Sequence, residues 1–134
     1  MNRYELRKCT AEIKHRDRMK IKPGIAFYNQ ENGCESDLIA TFENKDTALT
    51  ELEKYGSRIV KYPDFYLITE YYVQEVVYNE DGNEEEWSVW KFSEMVIELI
   101  RKQSCEIVGT FNSMEEAEIA YFFCDDINDY MLSF

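Results

Sequence analysis

The chain has 134 residues, of which 45% are hydrophobic, including 8 Phe, 10 Tyr and 2 Trp, and its formal net charge is -12 at pH 7. This apolar content excludes a disordered chain, and the length predicts a single domain over residues 1–134 with a sizeable core. No stretch approaches the 18 apolar residues of a membrane span and the N-terminus lacks an apolar signal core, so we expect a cytoplasmic protein with no membrane partner.

The charge is distributed unevenly along the chain. Residues 1–22 hold eight basic and three acidic side chains, a charge of +5, whereas the other 112 residues hold 7 basic and 24 acidic side chains, a charge of -17. This contrast favours a basic segment held against its own acidic body, and the alternative is two faces for two partners.

The first elements predicted in chain order are a strand over Tyr4–Ile13 and a charged connection that breaks at Pro23-Gly24. A short strand over GIAFYN (24–29) and a turn over QENGCES (30–36) follow.

The phrase DLIATFENKDTALTELEKYG, which starts at Asp37, indicates a strand, a cap and a helix. Leu38–Phe42 is rich in strand formers, and Asn44 is a residue type that accepts from the free backbone N–H groups at a helix start. Apolar residues follow at helical spacing and Gly56 is a typical stop, so we predict a helix near 45–56.

A similar phrase returns 69 residues later. EIVGTFNSMEEA (106–117) matches DLIATFENKDTA (37–48), with Ser113 as the cap and Glu116 completing a capping box. IELIRK, from Ile97, likewise echoes YELRK, from Tyr4, with one residue inserted. We predict a second helix near 114–127 and an internal duplication of a strand-strand-helix unit.

Between the two phrases, Phe65–Phe92 predicts a long β-hairpin. The segment is dense in Tyr, Val, Ile and Trp, and Asp81-Gly82 is a strong turn signal. Both faces of its first strand are largely apolar. One face must meet the helices, and the other is covered by the chain, covered by a second subunit, or exposed for binding.

Together these elements predict an α+β fold. We expect one antiparallel sheet of about six or seven strands, two helices on one face, and a pseudo-twofold relation between the duplicated units.

The sequence NEDGNEEEW (79–87) is the first candidate for a metal site, and its spacing does not fit one. An EF-hand loop needs Gly at its sixth position, but Glu84 is sixth from Asn79 and Glu86 is sixth from Asp81. A solvated, charged hairpin tip that blocks edge pairing fits the sequence better.

No signature of catalysis or of a cofactor is present in the sequence. The only histidine, His15, lies in the charged connection, and the five glycines are isolated. The cysteines form no C-x-x-C pair, which favours free and mostly buried thiols; they are Cys9, Cys34, Cys105 and Cys124. We therefore expect no enzyme, no cofactor and no metal ion.

The acidic body also argues against direct binding of nucleic acid, because phosphate affinity comes mainly from Lys and Arg. The reverse arrangement fits better: carboxylates mimic nucleic acid in the basic groove of another protein, and aromatic side chains serve as anchors. The residues predicted to bind such a partner are Glu80, Asp81, Glu84, Glu85, Glu86, Tyr71, Tyr72, Tyr78 and Trp87.

The phrases YLITEYYVQEVVYNEDGN and DLIATFENKDTALTELEKY resemble those of small acidic proteins carried on mobile genetic elements of Gram-positive bacteria. Such elements encode anti-CRISPR inhibitors, several of which bind the type II effector nuclease. The resemblance implies a stoichiometric inhibitor whose partner is a CRISPR effector nuclease, with no catalytic residues of its own.

Two alternatives remain open. A structural or assembly module would homodimerise through its Tyr-rich sheet, with the charge serving only solubility, so the chain is expected to be a monomer or a homodimer. A small metal-dependent hydrolase is the weaker alternative.

Overall fold

The computed structural model describes residues 2–29 and 36–134. Over these residues the chain forms eight strands, three α-helices and two short 3-10 helices at His15–Lys20 and Ile127–Asp129. The strands are β1 (Asn2–Lys14), β2 (Asp37–Phe42), β3 (Arg58–Lys61), β4 (Phe65–Tyr78), β5 (Glu84–Phe92), β6 (Ile97–Arg101), β7 (Glu106–Phe111) and β8 (Tyr130–Ser133), and the helices are α1 (Ile25–Tyr28), α2 (Lys45–Leu52) and α3 (Met114–Phe122).

The α+β class is confirmed, but the single sheet is wrong. The strands form a five-stranded sheet, in the order β2-β1-β4-β3 with β5 also on β4, and a three-stranded sheet in the order β7-β6-β8. Along one edge β4 pairs with the whole of β1, and its other edge is shared by β3 and β5. With both edges of β4 occupied, β6 pairs with β7 and β8 instead.

The segment predicted as a strand over 24–29 is the short helix α1, and tertiary contacts explain the error. Gly24 has φ +95°, a conformation that favours glycine. The buried carboxylate of Glu70 accepts hydrogen bonds from the backbone N–H groups of Gly24 (2.7 Å) and Ala26 (2.6 Å). These long-range bonds hold the start of a helical turn that local strand propensity does not predict. The turn predicted over 30–36 lies outside the described residues except for Ser36.

Both predicted helix caps are confirmed. The side chain of Asn44 accepts from the backbone N–H groups of Asp46 and Thr47, and the hydroxyl of Ser113 accepts from that of Glu116. Both helices are shorter than predicted. After Leu52 the chain continues in i to i+3 hydrogen bonds, which end the α-helical pattern before Gly56.

The two faces of the five-stranded sheet have different coverings, so the prediction of both helices on one face is wrong. On one face, α2 contributes Ala48 and Leu52 to a small core with Leu6 and Val73. The alternate side chains of β4 form the larger core with α1, the second sheet and α3. Both faces of β4 are therefore packed against this chain.

The two strand-strand-helix units share their pairing pattern. In each unit an antiparallel pair contains a register shift at the same position, and a third strand lies on the other edge of the first. The equivalent pairs are Tyr4 with Phe42 and Ile97 with Phe111, and the shifts follow Leu6 and Leu99. YELRK is thus equivalent to IELIR residue for residue, so the inserted residue predicted from sequence is wrong.

Burial predicts different costs for truncating two leucines. Leu6 is fully buried between β4 and α2, whereas Leu38 on β2 is 49% exposed. We expect Leu6→Ala to lower the free energy of unfolding by about 2–5 kcal/mol, because it leaves a cavity, and Leu38→Ala to lower it by less than about 1 kcal/mol. Urea unfolding measures both, and equal costs would contradict the packing of α2 on this face.

Candidate protein-binding surface

The turn between β4 and β5 is held by its own polar groups. The side-chain oxygen of Asn79 accepts hydrogen bonds from the backbone N–H groups of Asp81 and Asn83, both at 3.0 Å. The N–H of Gly82 donates to the carbonyl of Asn79 at 3.1 Å, and Gly82 has φ +80°. The predicted hairpin is therefore confirmed, and its turn is ordered by hydrogen bonds within the segment.

Five carboxylates surround this turn and all five are exposed. They belong to Glu80, Asp81, Glu84, Glu85 and Glu86. Within the part of the chain that the structure describes, none lies within 4.0 Å of a Lys or Arg nitrogen. The tip thus projects uncompensated negative charge into solvent, which attracts a basic surface.

An exposed tryptophan lies beside these carboxylates. Trp87 on β5 is 66% exposed, and its indole N–H donates to the Glu84 carboxylate at 3.1 Å. Tyr78 at the end of β4 is half-buried, and the guanidinium of Arg3 lies 5.2 Å from its ring centroid. Trp87 is the large apolar group at the tip that a partner can desolvate.

Sequence reasoning missed Trp90, which lies on the opposite face of β5. Its indole N–H donates to Glu75 at 2.8 Å, and the ammonium of Lys45 lies 4.0 Å from its ring centroid. Strand alternation was the available signal, because residues three apart point to opposite faces. These contacts place Trp90 on the face of the sheet that α2 covers, so it is not part of the acidic tip.

The other two predicted aromatic contacts pack against the two cores to different extents. Tyr71 is half-buried, and its ring centroid is 4.6 Å from that of Tyr55, three residues after α2. Tyr72 is buried, with 3% of its surface exposed, and its hydroxyl donates to that of Ser36 at 2.9 Å. Burial raises the pKa of Tyr72. Of the nine predicted residues, the five acidic ones and Trp87 are exposed, Tyr71 and Tyr78 are half-buried, and Tyr72 is buried.

The basic N-terminal segment is partly tied to its own fold. Glu5 is buried and accepts from Arg3 (2.6 Å), Arg7 (2.9 Å) and Gln74 (2.9 Å). Burial alone would raise the pKa of Glu5, but these three donors favour the carboxylate and hold the pKa below its usual value. The neighbouring 3-10 helix is anchored as well, because Arg18 Nε lies 2.9 Å from both carboxylate oxygens of Glu118.

A second buried carboxylate, Glu70, has the opposite shift. Burial raises the pKa of Glu70, and the backbone N–H groups of α1 offset this only in part. Cys9 lies opposite Glu70 in the strand pair, and burial followed by the nearby carboxylate raises the pKa of its thiol to about 12. A protonated, enclosed thiol is a poor nucleophile, so this pair serves structure.

The other described thiols are more accessible than that of Cys9. Of the three described cysteines, all free, only Cys9 is buried, so the expectation of mostly buried thiols is wrong; Cys105 is exposed, Cys124 is half-buried, and Cys34 lies outside the described residues. Over residues 2–29 and 36–134 there is no group of three or more His, Cys, Asp or Glu side chains placed to hold a metal ion.

The shift at Glu5 predicts a loss of stability in acid. Its folded-state pKa is lowered, so its contribution is present above the unfolded pKa, near 4.5, and is lost as the pH falls through the folded value. We expect Glu5→Gln to cost about 1.5–3 kcal/mol at pH 7, because two arginines lose a charged acceptor. Urea unfolding at pH 7 and pH 3 should show this difference shrinking, and an equal difference at both pH values would contradict it.

The shift at Glu70 predicts the opposite dependence. Its folded-state pKa is raised, so its contribution is present below the unfolded pKa and is lost as the pH rises through the folded value. We expect Glu70→Gln to remove this component of the pH dependence. The variant should also cost about 1–3 kcal/mol, because the amide NH₂ would face a backbone N–H. A stability profile parallel to that of the wild type between pH 4 and 8 would contradict this role.

Two further observations bear on function. None of the helices in the described part of the chain has the length and apolar character that a membrane crossing requires. Comparison with protein-family models, curated proteins and solved structures finds no match to this chain.

Proposed function

We propose that the protein is a non-enzymatic inhibitor that binds a basic nucleic-acid-binding protein through the tip of the β4-β5 hairpin. The observation that carries this proposal is the group of five exposed carboxylates, unpaired within the described residues, beside the exposed ring of Trp87. A surface of this kind presents to a basic groove the charge that nucleic acid would present.

The distribution of charge supports the same function. Residues 23–134 carry 24 acidic against 7 basic side chains, so the electrostatic potential is negative at the tip and over much of the rest of the molecule. Such a field speeds encounter with a basic partner, and complementary charges select it against acidic or neutral proteins.

Trp87 and Tyr78 supply the apolar part of the proposed contact. Surface ion pairs alone contribute little net affinity, because water and salt screen them. A tryptophan that is 66% exposed in the free protein buries a large apolar area when a partner covers it. Trp87 is therefore the proposed anchor, and the carboxylates orient the complex around it.

The resemblance to anti-CRISPR proteins of mobile genetic elements names the first partner to test. A type II effector nuclease holds its guide and target strands in positively charged channels. Occupation of such a channel in the cytoplasm by the acidic tip would block DNA binding without any chemistry. The alternative of a homodimer through the Tyr-rich sheet has less support, because both faces of β4 pack against this chain.

We also propose that the two strand-strand-helix units arose by internal duplication. The shared register shift, the caps at Asn44 and Ser113, and the third strand on the same edge of each unit support this origin. On this view β5 and the acidic tip are additions to the first unit, since β8 in the second unit has no hairpin partner among the described strands.

Charge reversal at the tip tests the proposal. The variant E84K/E85K/E86K changes only exposed side chains, so we expect the free energy of unfolding to change by less than about 1 kcal/mol. Inhibition of DNA cleavage by a guide-loaded type II effector, measured at a one-to-one ratio, should be lost.

The matched control is E53K/E94K/D125K, which makes the same change in net charge at exposed positions away from the tip. The control should retain inhibition within about a factor of three, because only distant field effects change. Equal loss in both variants would show that net charge, and not the tip, determines binding. Full inhibition by the tip variant would refute the proposed surface.

A further inference from the structure

A groove of about 540 Å³ lies between α3, β8 and the ends of β3 and β4. Its walls include the rings of Tyr66, Tyr121 and Tyr130, and Phe134 contacts Tyr66 edge to face at 5.9 Å between ring centroids. The groove has the size of a ligand site and an aromatic lining.

The charge of this groove is opposite to that of the molecule. It is lined by Arg18, Lys61 and Lys102 and by one acid, Glu118, so its local charge is +2 in a chain of net charge -12. Arg18 is already paired with Glu118. Lys61 and Lys102 are exposed, and within the described residues neither has a carboxylate oxygen within 4.0 Å. Two cations are thus available to an acidic occupant.

The rim of the groove is apolar and unusually open. Phe122 lines it and is 76% exposed, and its ring centroid lies 5.7 Å from that of Phe123, which is 78% exposed. Large exposed aromatic side chains that adjoin a groove mark a surface that a partner covers. The complementary occupant therefore carries carboxylates for the lysines and at least one large apolar side chain for the rim and walls.

The chain itself has a segment of this chemistry, the tip of the β4-β5 hairpin. We infer that this groove binds the hairpin tip of a second copy of the chain, with Trp87 among the aromatic rings and Glu84–Glu86 facing Lys61 and Lys102. The tip is a five-residue turn between two paired strands, and all of its residues are exposed, so it is accessible to a groove of another molecule. Tip and groove are different surfaces, so the contact is head-to-tail and can repeat into short chains.

The contact is small, and weak association follows. A hairpin tip buries less area than the roughly 1,200–2,000 Å² of stable protein interfaces. The inference does not depend on the identity of the partner under Proposed function. It adds a consequence for that partner, because self-association and partner binding use the same tip and so compete.

Sedimentation velocity across a range of protein concentrations tests the inference. The weight-average mass of the wild type should rise above 16.0 kDa as concentration increases. K61E/K102E and E84K/E85K/E86K should each remain at 16.0 kDa, because each lacks one half of the contact. The matched control K14E/K22E, at exposed lysines outside this groove, should associate like the wild type.

Mixing the two deficient variants gives the decisive result. K61E/K102E retains the tip and E84K/E85K/E86K retains the groove, so an equimolar mixture should form a complex of about 32 kDa and no larger species. A wild type that stays at 16.0 kDa, or a mixture with no complex, would overturn the inference. K61E/K102E should still inhibit the basic partner, so failure of self-association is distinguishable from failure of the proposed function.

Discussion

The rest of the structure depends on one strand, β4, which is buried on both faces and paired along both edges. Its alternate side chains, such as Ile68 and Val73, enter two separate cores. Apolar side chains on both faces need a covering on each side, because exposed apolar area is unfavourable in water. The chain meets this need with α2 on one face and with α1, α3 and a second sheet on the other.

Two buried carboxylates on one face of this sheet join the N-terminal region to it. Glu5 accepts hydrogen bonds from Arg3, Arg7 and Gln74, and Glu70 accepts them from backbone N–H groups at the start of α1. Their pKa values move in opposite directions because Glu5 has charged donors and Glu70 has only backbone N–H groups to offset burial. Arg3 and Arg7 thus pair with Glu5 within the fold. Less of the basic charge of the first residues is therefore available to an external partner.

Two surfaces of the described residues carry charge of opposite sign. The hairpin tip carries five exposed carboxylates, and the groove beside α3 carries Lys61 and Lys102, which form no salt bridge with any described residue. The Asn79 side chain orders the hairpin turn through two backbone hydrogen bonds, and a binding surface that is already ordered lowers the entropy cost of binding. The proposed binding of a basic groove, in another protein or in a second copy, would use this one acidic surface.

Local signals in the sequence determined the caps at Asn44 and Ser113, the β4-β5 hairpin and its exposed acidic turn, because each depends on residues within a few positions of one another. The division into two sheets and the helical form of 24–29 were decided by tertiary structure. A carboxylate 46 residues from Gly24 fixes that turn. Sequence also left open the accessibility of Tyr71 and Tyr72, because a strand with two apolar faces does not reveal which neighbours cover them. Those neighbours come from distant segments, and only the folded chain places them.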